Sequence, residues 1–64
     1  MVLAKVTYDG NIYSITQRKD LKQLSDLSGI DLMQNPHELV RSDLFKLELH
    51  PMLRKYNMFD YLFS

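Results

Sequence analysis

The chain has 64 residues, eight of them basic and eight acidic, for a formal net charge of zero, and no cysteine. This composition excludes disulfides and thiolate metal sites, and it leaves no global field to draw in nucleic acid or an anionic membrane surface. A single domain of this length buries only about 60% of the surface its unfolded chain exposes, so association with another chain is the expected source of extra stability.

Residues 2 to 17 read as a β-hairpin, VLAKVTY and NIYSITQ joined by Asp9-Gly10. Asp-Gly is a strong signal for a two-residue turn in which both positions need positive φ. Such a loop sets Tyr8 opposite Asn11, Val6 opposite Tyr13 and Ala4 opposite Ile15. One face then carries Val2, Ala4, Val6, Tyr13 and Ile15, and the other Lys5, Thr7 and Ser14, with Ile12 as a single exposed apolar residue. Arg18 and Lys19 lead out of the hairpin as solvated cations.

A helix is expected over residues 20 to 28. Asp20 is placed at its cap with Gln23 completing a capping box, and Leu21, Leu24 and either Leu27 or Ser28 share its inner face. Gly29 supplies the left-handed residue that closes it, after which Ile30 folds back on the leucines. A helix this short is not stable alone in water and must be held by packing. A second helix is expected over residues 35 to 42, with Asn35 as cap, Pro36 in the first position and Glu38 in the third. Residues 44 to 50 then alternate, Phe45, Leu47 and Leu49 inward against Lys46 and Glu48, and Pro51 ends the strand. The fold class that follows is α+β: a small domain with a β-hairpin plus a third strand, covered by two or three short helices. Both positions for the third strand satisfy the pattern, so strand order stays open.

Residues 52 to 64 form either a core helix, with Met52, Tyr56, Phe59 and Phe63 at helical spacing, or an aromatic docking tail. Five of the six residues from Met58 to Phe63 are large and apolar, and Met and aromatic side chains are enriched at protein interfaces. Met58, Phe59, Tyr61, Leu62 and Phe63 are therefore the candidate partner-binding residues.

The residues point away from chemistry. Both glycines have turn or cap roles, so there is no phosphate loop, and no serine stands in a nucleophile elbow. Asp43, Glu48 and His50 read as strand-surface groups rather than an acid–base or metal set. No catalytic, cofactor-binding or metal-binding residue is assigned, and an enzyme is not expected. A helix-turn-helix reading of Leu21 to Leu39 fails on its second helix, which would run through Pro36 and carry Asp31 and Glu38 where base-reading cations are needed. No apolar run reaches the roughly 20 residues of a membrane span. The stretch MVLAKV lacks the basic and long apolar regions of a signal peptide, which implies synthesis in the cytoplasm.

One family resemblance extends over residues 13 to 51. YSITQRKDLKQLSDLSGI from Tyr13, then Asn35-Pro36, then LFKLELHP resemble the strand, capped helix, Asn-Pro and closing strand of a LysM domain. The resemblance implies a β-α-α-β unit, used in some proteins to bind glycan and in others as a structural module of contractile phage tails. Arg18 and Lys19 stand where glycan-binding members carry Gly-Asp, so no glycan residue is transferred and the structural use is favoured. The expected function is thus a protein-binding structural subunit of an assembly, such as a phage tail or baseplate, with a virion as its destination and protein partners or further copies of itself as its contacts. The alternatives are a small inhibitor encoded by a phage or mobile element that covers a host protein, and a glycan-binding module.

Overall fold

A computed structural model describes residues 1–63. Its elements in order are β1 (Ala4–Tyr8), β2 (Asn11–Ile15), α1 (Arg18–Ser28), α2 (Glu38–Arg41), β3 (Phe45–Leu49) and α3 (Lys55–Phe63). The strands form one antiparallel sheet in the order β2-β1-β3, with all three helices on one face, giving the expected small α+β domain.

The turn sets the register of the hairpin. Asp9 and Gly10 take φ of 49° and 81°, the pair of positive angles that a two-residue loop needs to match strand twist. Tyr8 pairs with Asn11, Val6 with Tyr13 and Ala4 with Ile15, as the spacing requires. On the other side of β1, Tyr8 pairs with Phe45, Val6 with Leu47 and Ala4 with Leu49. The N-terminal strand is therefore the central one, and its inward residues Ala4 and Val6 are fully buried. Tyr8 and Phe45 meet across the ladder with ring centroids 5.5 Å apart.

The expected face of β1 changes at its start. Val2 is exposed and Leu3 is buried, the reverse of simple alternation. The N–H of Leu3 donates to the carbonyl of Ile15 at 2.8 Å although Ala4 is the register partner of Ile15. Two consecutive residues thus face one, which is a β-bulge, and the extra residue turns Leu3 inward.

The first helix begins earlier than expected, and Asp20 has a different role in it. Gln17 is the cap and Asp20 the third helical residue, whose Oδ2 accepts hydrogen bonds from the Gln17 N–H at 3.0 Å, the Thr16 N–H at 2.8 Å and the Thr16 hydroxyl at 2.9 Å. The carboxylate reaches back over the start of the helix rather than forward from it. Burial works to raise the Asp20 pKa, but the hydrogen bonds from Thr16 and Gln17 and the neighbouring Lys19 charge outweigh it and hold the carboxyl below its ordinary value. At the far end Gly29 has φ 77° and donates to the Ser25 carbonyl at 2.9 Å, closing the helix as its sequence position implies. Leu21 and Leu24 are buried, Ser28 is half-buried and Leu27 faces solvent.

The segment after Gly29 is a chain of turns. Asp31 Oδ1 accepts from the N–H groups of Met33 and Gln34, and the Leu32 N–H donates to Ser25 Oγ at 2.8 Å, which fixes the fully buried Leu32 side chain against α1. The second helix is a single turn. It opens with backbone bonds from Glu38 to Asn35 and from Leu39 to Pro36, a tighter 3₁₀-like start, so the capping role expected of the Asn35 side chain is taken by its carbonyl.

The core comprises Leu3, Ala4, Val6, Ile15, Leu21, Leu24, Leu32, Leu39, Phe45, Met58, Phe59 and Leu62, and no polar or charged residue among the described ones is buried with them. The other sheet face is open: Lys5, Ile12, Ser14, Lys46 and Glu48 are exposed there.

Candidate protein-binding surface

The residues singled out from Met58 to Phe63 divide by their direction on α3. The turn after β3 is closed by the Leu53 N–H on the His50 carbonyl and the Met52 N–H on His50 Nδ1, so the helix starts at Lys55 and Met52 lies outside it. Met58, Phe59 and Leu62 are buried, Phe63 is half-buried and Tyr61 is 65% exposed. The expected inner stripe of Met52, Tyr56, Phe59 and Phe63 is therefore out of phase. Met52 and Tyr56 are exposed, and the stripe runs through Met58 and Phe59 to Leu62 and Phe63. The expected helix end at Ser64 lies outside the described residues.

Energetics explains why this stripe faces inward. Burying a Met, Leu or Phe side chain contributes about 1.5–3 kcal/mol each. Three such residues supply an amount comparable to the whole net stability of a small domain, roughly 5 kcal/mol or somewhat more. A chain this short cannot leave them in water and remain folded by its sheet and α1 alone.

Two flanks of α3 remain at the surface. On one, the His37 ring packs on Phe59 with centroids 4.7 Å apart and lies 6.0 Å from Tyr56. Pro36, His37, Phe59, Asp60 and Phe63 enclose an open, mainly apolar depression of about 370 Å³ between the α2 turn and α3. On the other flank the Arg18 guanidinium lies 5.2 Å from the centre of the Phe63 ring, a cation–π arrangement, and Tyr61 borders a cleft with Thr16, Gln17, Arg18 and Lys19. Phe63 thus lines the first hollow and carries the Arg18 guanidinium over its ring. Of the five partner-binding candidates, Phe59, Phe63 and Tyr61 reach this surface, whereas Met58 is enclosed and Leu62 only borders the Arg18 side.

Pro36, His37, Tyr56 and Arg18 belong to the same surface and were not singled out by the sequence. Pro36, His37 and Arg18 meet α3 only through the tertiary fold, so no local pattern marks them as part of this surface, and Tyr56, expected in the inner stripe of α3, instead faces solvent. Asp43, Glu48 and His50 lie along and beside β3, with Asp43 and Glu48 exposed and His50 engaged as acceptor for Met52. The four-residue α2 is shorter than a helix that could lie along a major groove. Strands β2 and β3, expected as the two strands of a β-α-α-β unit, do not pair with each other, because β1 lies between them. No helix among the described residues is long and apolar enough to cross a membrane. Comparisons with protein-family models, with curated proteins and with solved structures find no match to this chain.

Proposed function

We propose that the chain is a non-enzymatic, protein-binding structural subunit of a larger assembly, and that the hollow beside α3 receives an apolar side chain of a neighbouring subunit. The observation that supports this reading is the grouping of Phe59, Phe63, Pro36 and His37 around one open depression, with the Tyr56 ring near His37 and Tyr61 in a separate cleft beside Arg18. Aromatic rings around a partly desolvated hollow are the usual anchor points of protein interfaces. The LysM-like run over residues 13–51 makes a phage tail or baseplate the most concrete setting.

Co-expression of the chain with the proteins encoded beside it, followed by size-exclusion chromatography with light scattering, tests the reading. A complex of defined stoichiometry is expected, and Tyr61→Ser together with Phe63→Ala should weaken it at least tenfold while the free double variant keeps its circular dichroism spectrum. A complex indifferent to both substitutions, or retention of the free chain on insoluble peptidoglycan or chitin in place of any complex, contradicts it.

A further inference from the structure

The two edges of the sheet differ in how they are protected. The β3 edge carries Lys46 and Glu48 and ends at Pro51, the devices that keep a free ladder from pairing with another chain. The β2 edge has neither. From Asn11 to Gln17 there is no charged residue and no proline, and Ile12 stands 68% exposed.

The geometry of the hairpin states which groups are free. Asn11, Tyr13 and Ile15 are paired to β1, and across a two-residue loop these are the pairs that exchange hydrogen bonds. The N–H and C=O groups of Ile12 and Ser14 therefore point away from the sheet. Thr16 confirms the phase, since its N–H turns away from β1 and is already taken by Asp20 Oδ2 at 2.8 Å. The free ladder is thus bounded: Ile12 and Ser14 have both groups available, and the next donor along the strand is engaged.

We propose that β2 pairs antiparallel with β2 of a second copy about a two-fold axis at Tyr13, joining two three-stranded sheets into one of six. Ile12 of each copy faces Ser14 of the other, so each free N–H meets a free C=O in four hydrogen bonds, and the two Tyr13 rings lie beside each other on the helix-covered side. The register that centres on Ser14 instead would need the Thr16 N–H, which Asp20 holds. A second copy is the occupant because the free segment is self-complementary in this register and brings no like charges together, and because a chain of zero net charge has no overall repulsion between copies. A seam of one short strand pair buries less than the roughly 1,200 Å² of a standard interface, so the dimer is weak and dependent on concentration. It uses a surface separate from the hollow beside α3, and either can fail without the other.

Sedimentation and light scattering of the chain from about 10 μM to about 1 mM, a range that spans weak association, test the pairing together with amide hydrogen exchange. The mass should climb toward that of a dimer, and exchange of the Ile12 and Ser14 amides should slow as it does. Ser14→Pro removes an outward donor at an edge position that tolerates proline, and Ile12→Lys adds the missing edge charge. Each should raise the dissociation constant at least tenfold with an unchanged circular dichroism spectrum, while Lys46→Glu on the opposite edge leaves it unaltered. If Ser14→Pro fails to fold, Ile12→Lys decides. A chain that stays monomeric to the highest concentration, or a dimer that Ile12→Lys does not weaken, overturns the proposal.

Discussion

The helices α1 and α3 have similar lengths but are specified in different ways. In α1 both ends are written locally: Asp20 gathers three hydrogen bonds at the start and Gly29 closes the end in the left-handed conformation. In α3 there is no acidic residue in the first turn and no basic residue in the last to complement the helix dipole. Its position depends on Met58, Phe59 and Leu62 going into the core, with His37 and Arg18 laid over Phe59 and Phe63. A helix with its own caps is held in part before it docks, whereas α3 gains its stability by docking.

The largest effect that separates the two helices should come from Phe59→Ala. Truncating a buried Phe costs about 3–5 kcal/mol, which approaches the total stability of a domain this small, so urea unfolding followed by circular dichroism should show a chain largely unfolded in buffer. If α3 were a tail waiting for a partner, the same substitution would shift the midpoint by no more than a surface change does, under about 0.5 kcal/mol.

A smaller effect is expected at the start of α1. Asp20→Asn removes a charge-assisted acceptor from Thr16 and Gln17 and should cost about 1 kcal/mol at neutral pH. The sign of its pH dependence follows from the lowered pKa: the folded state favours the ionised form, so the contribution is complete above the ordinary value of 3.8 and is lost as the pH falls through and below it. The gap between wild type and variant should therefore be widest at neutral pH and narrow progressively as the pH is taken below 3.8, through the lowered pKa of the folded state. A gap that persists in acid would mean that the substitution is disruptive for reasons other than the lost charge.

The same contrast explains what was legible in the sequence. The hairpin register was, because Asp9-Gly10 admits one loop geometry and every pair follows from it by counting. The closing of α1 at Gly29 was too, since only a residue free to take positive φ ends a helix in that way. Asp20 marks the start of a helix but not its own place in the first turn, because a carboxylate three residues into a helix and one at its cap leave similar local patterns. Strand order was not readable, as Phe45, Leu47 and Leu49 suit either edge of the hairpin. The bulge at Leu3 was hidden because alternation assigns VLAKV by parity, and nothing in those residues marks the extra one. The phase of α3 is not legible because its apolar residues occupy more than one face. Tyr56 and Tyr61 fall on opposite flanks of a helix that turns about 100° per residue, and tertiary packing alone decides which apolar face goes in.

The most direct test of this account is amide hydrogen exchange of the free chain at low concentration, resolved by residue. The core role of α3 predicts that the amides of Leu62 and Phe63, which the helix ladder holds, exchange only on the same cooperative opening that exposes Val6 in the central strand. Rapid, unprotected exchange along α3 with Val6 still protected would contradict it, and would return the aromatic stretch to the part of a docking tail.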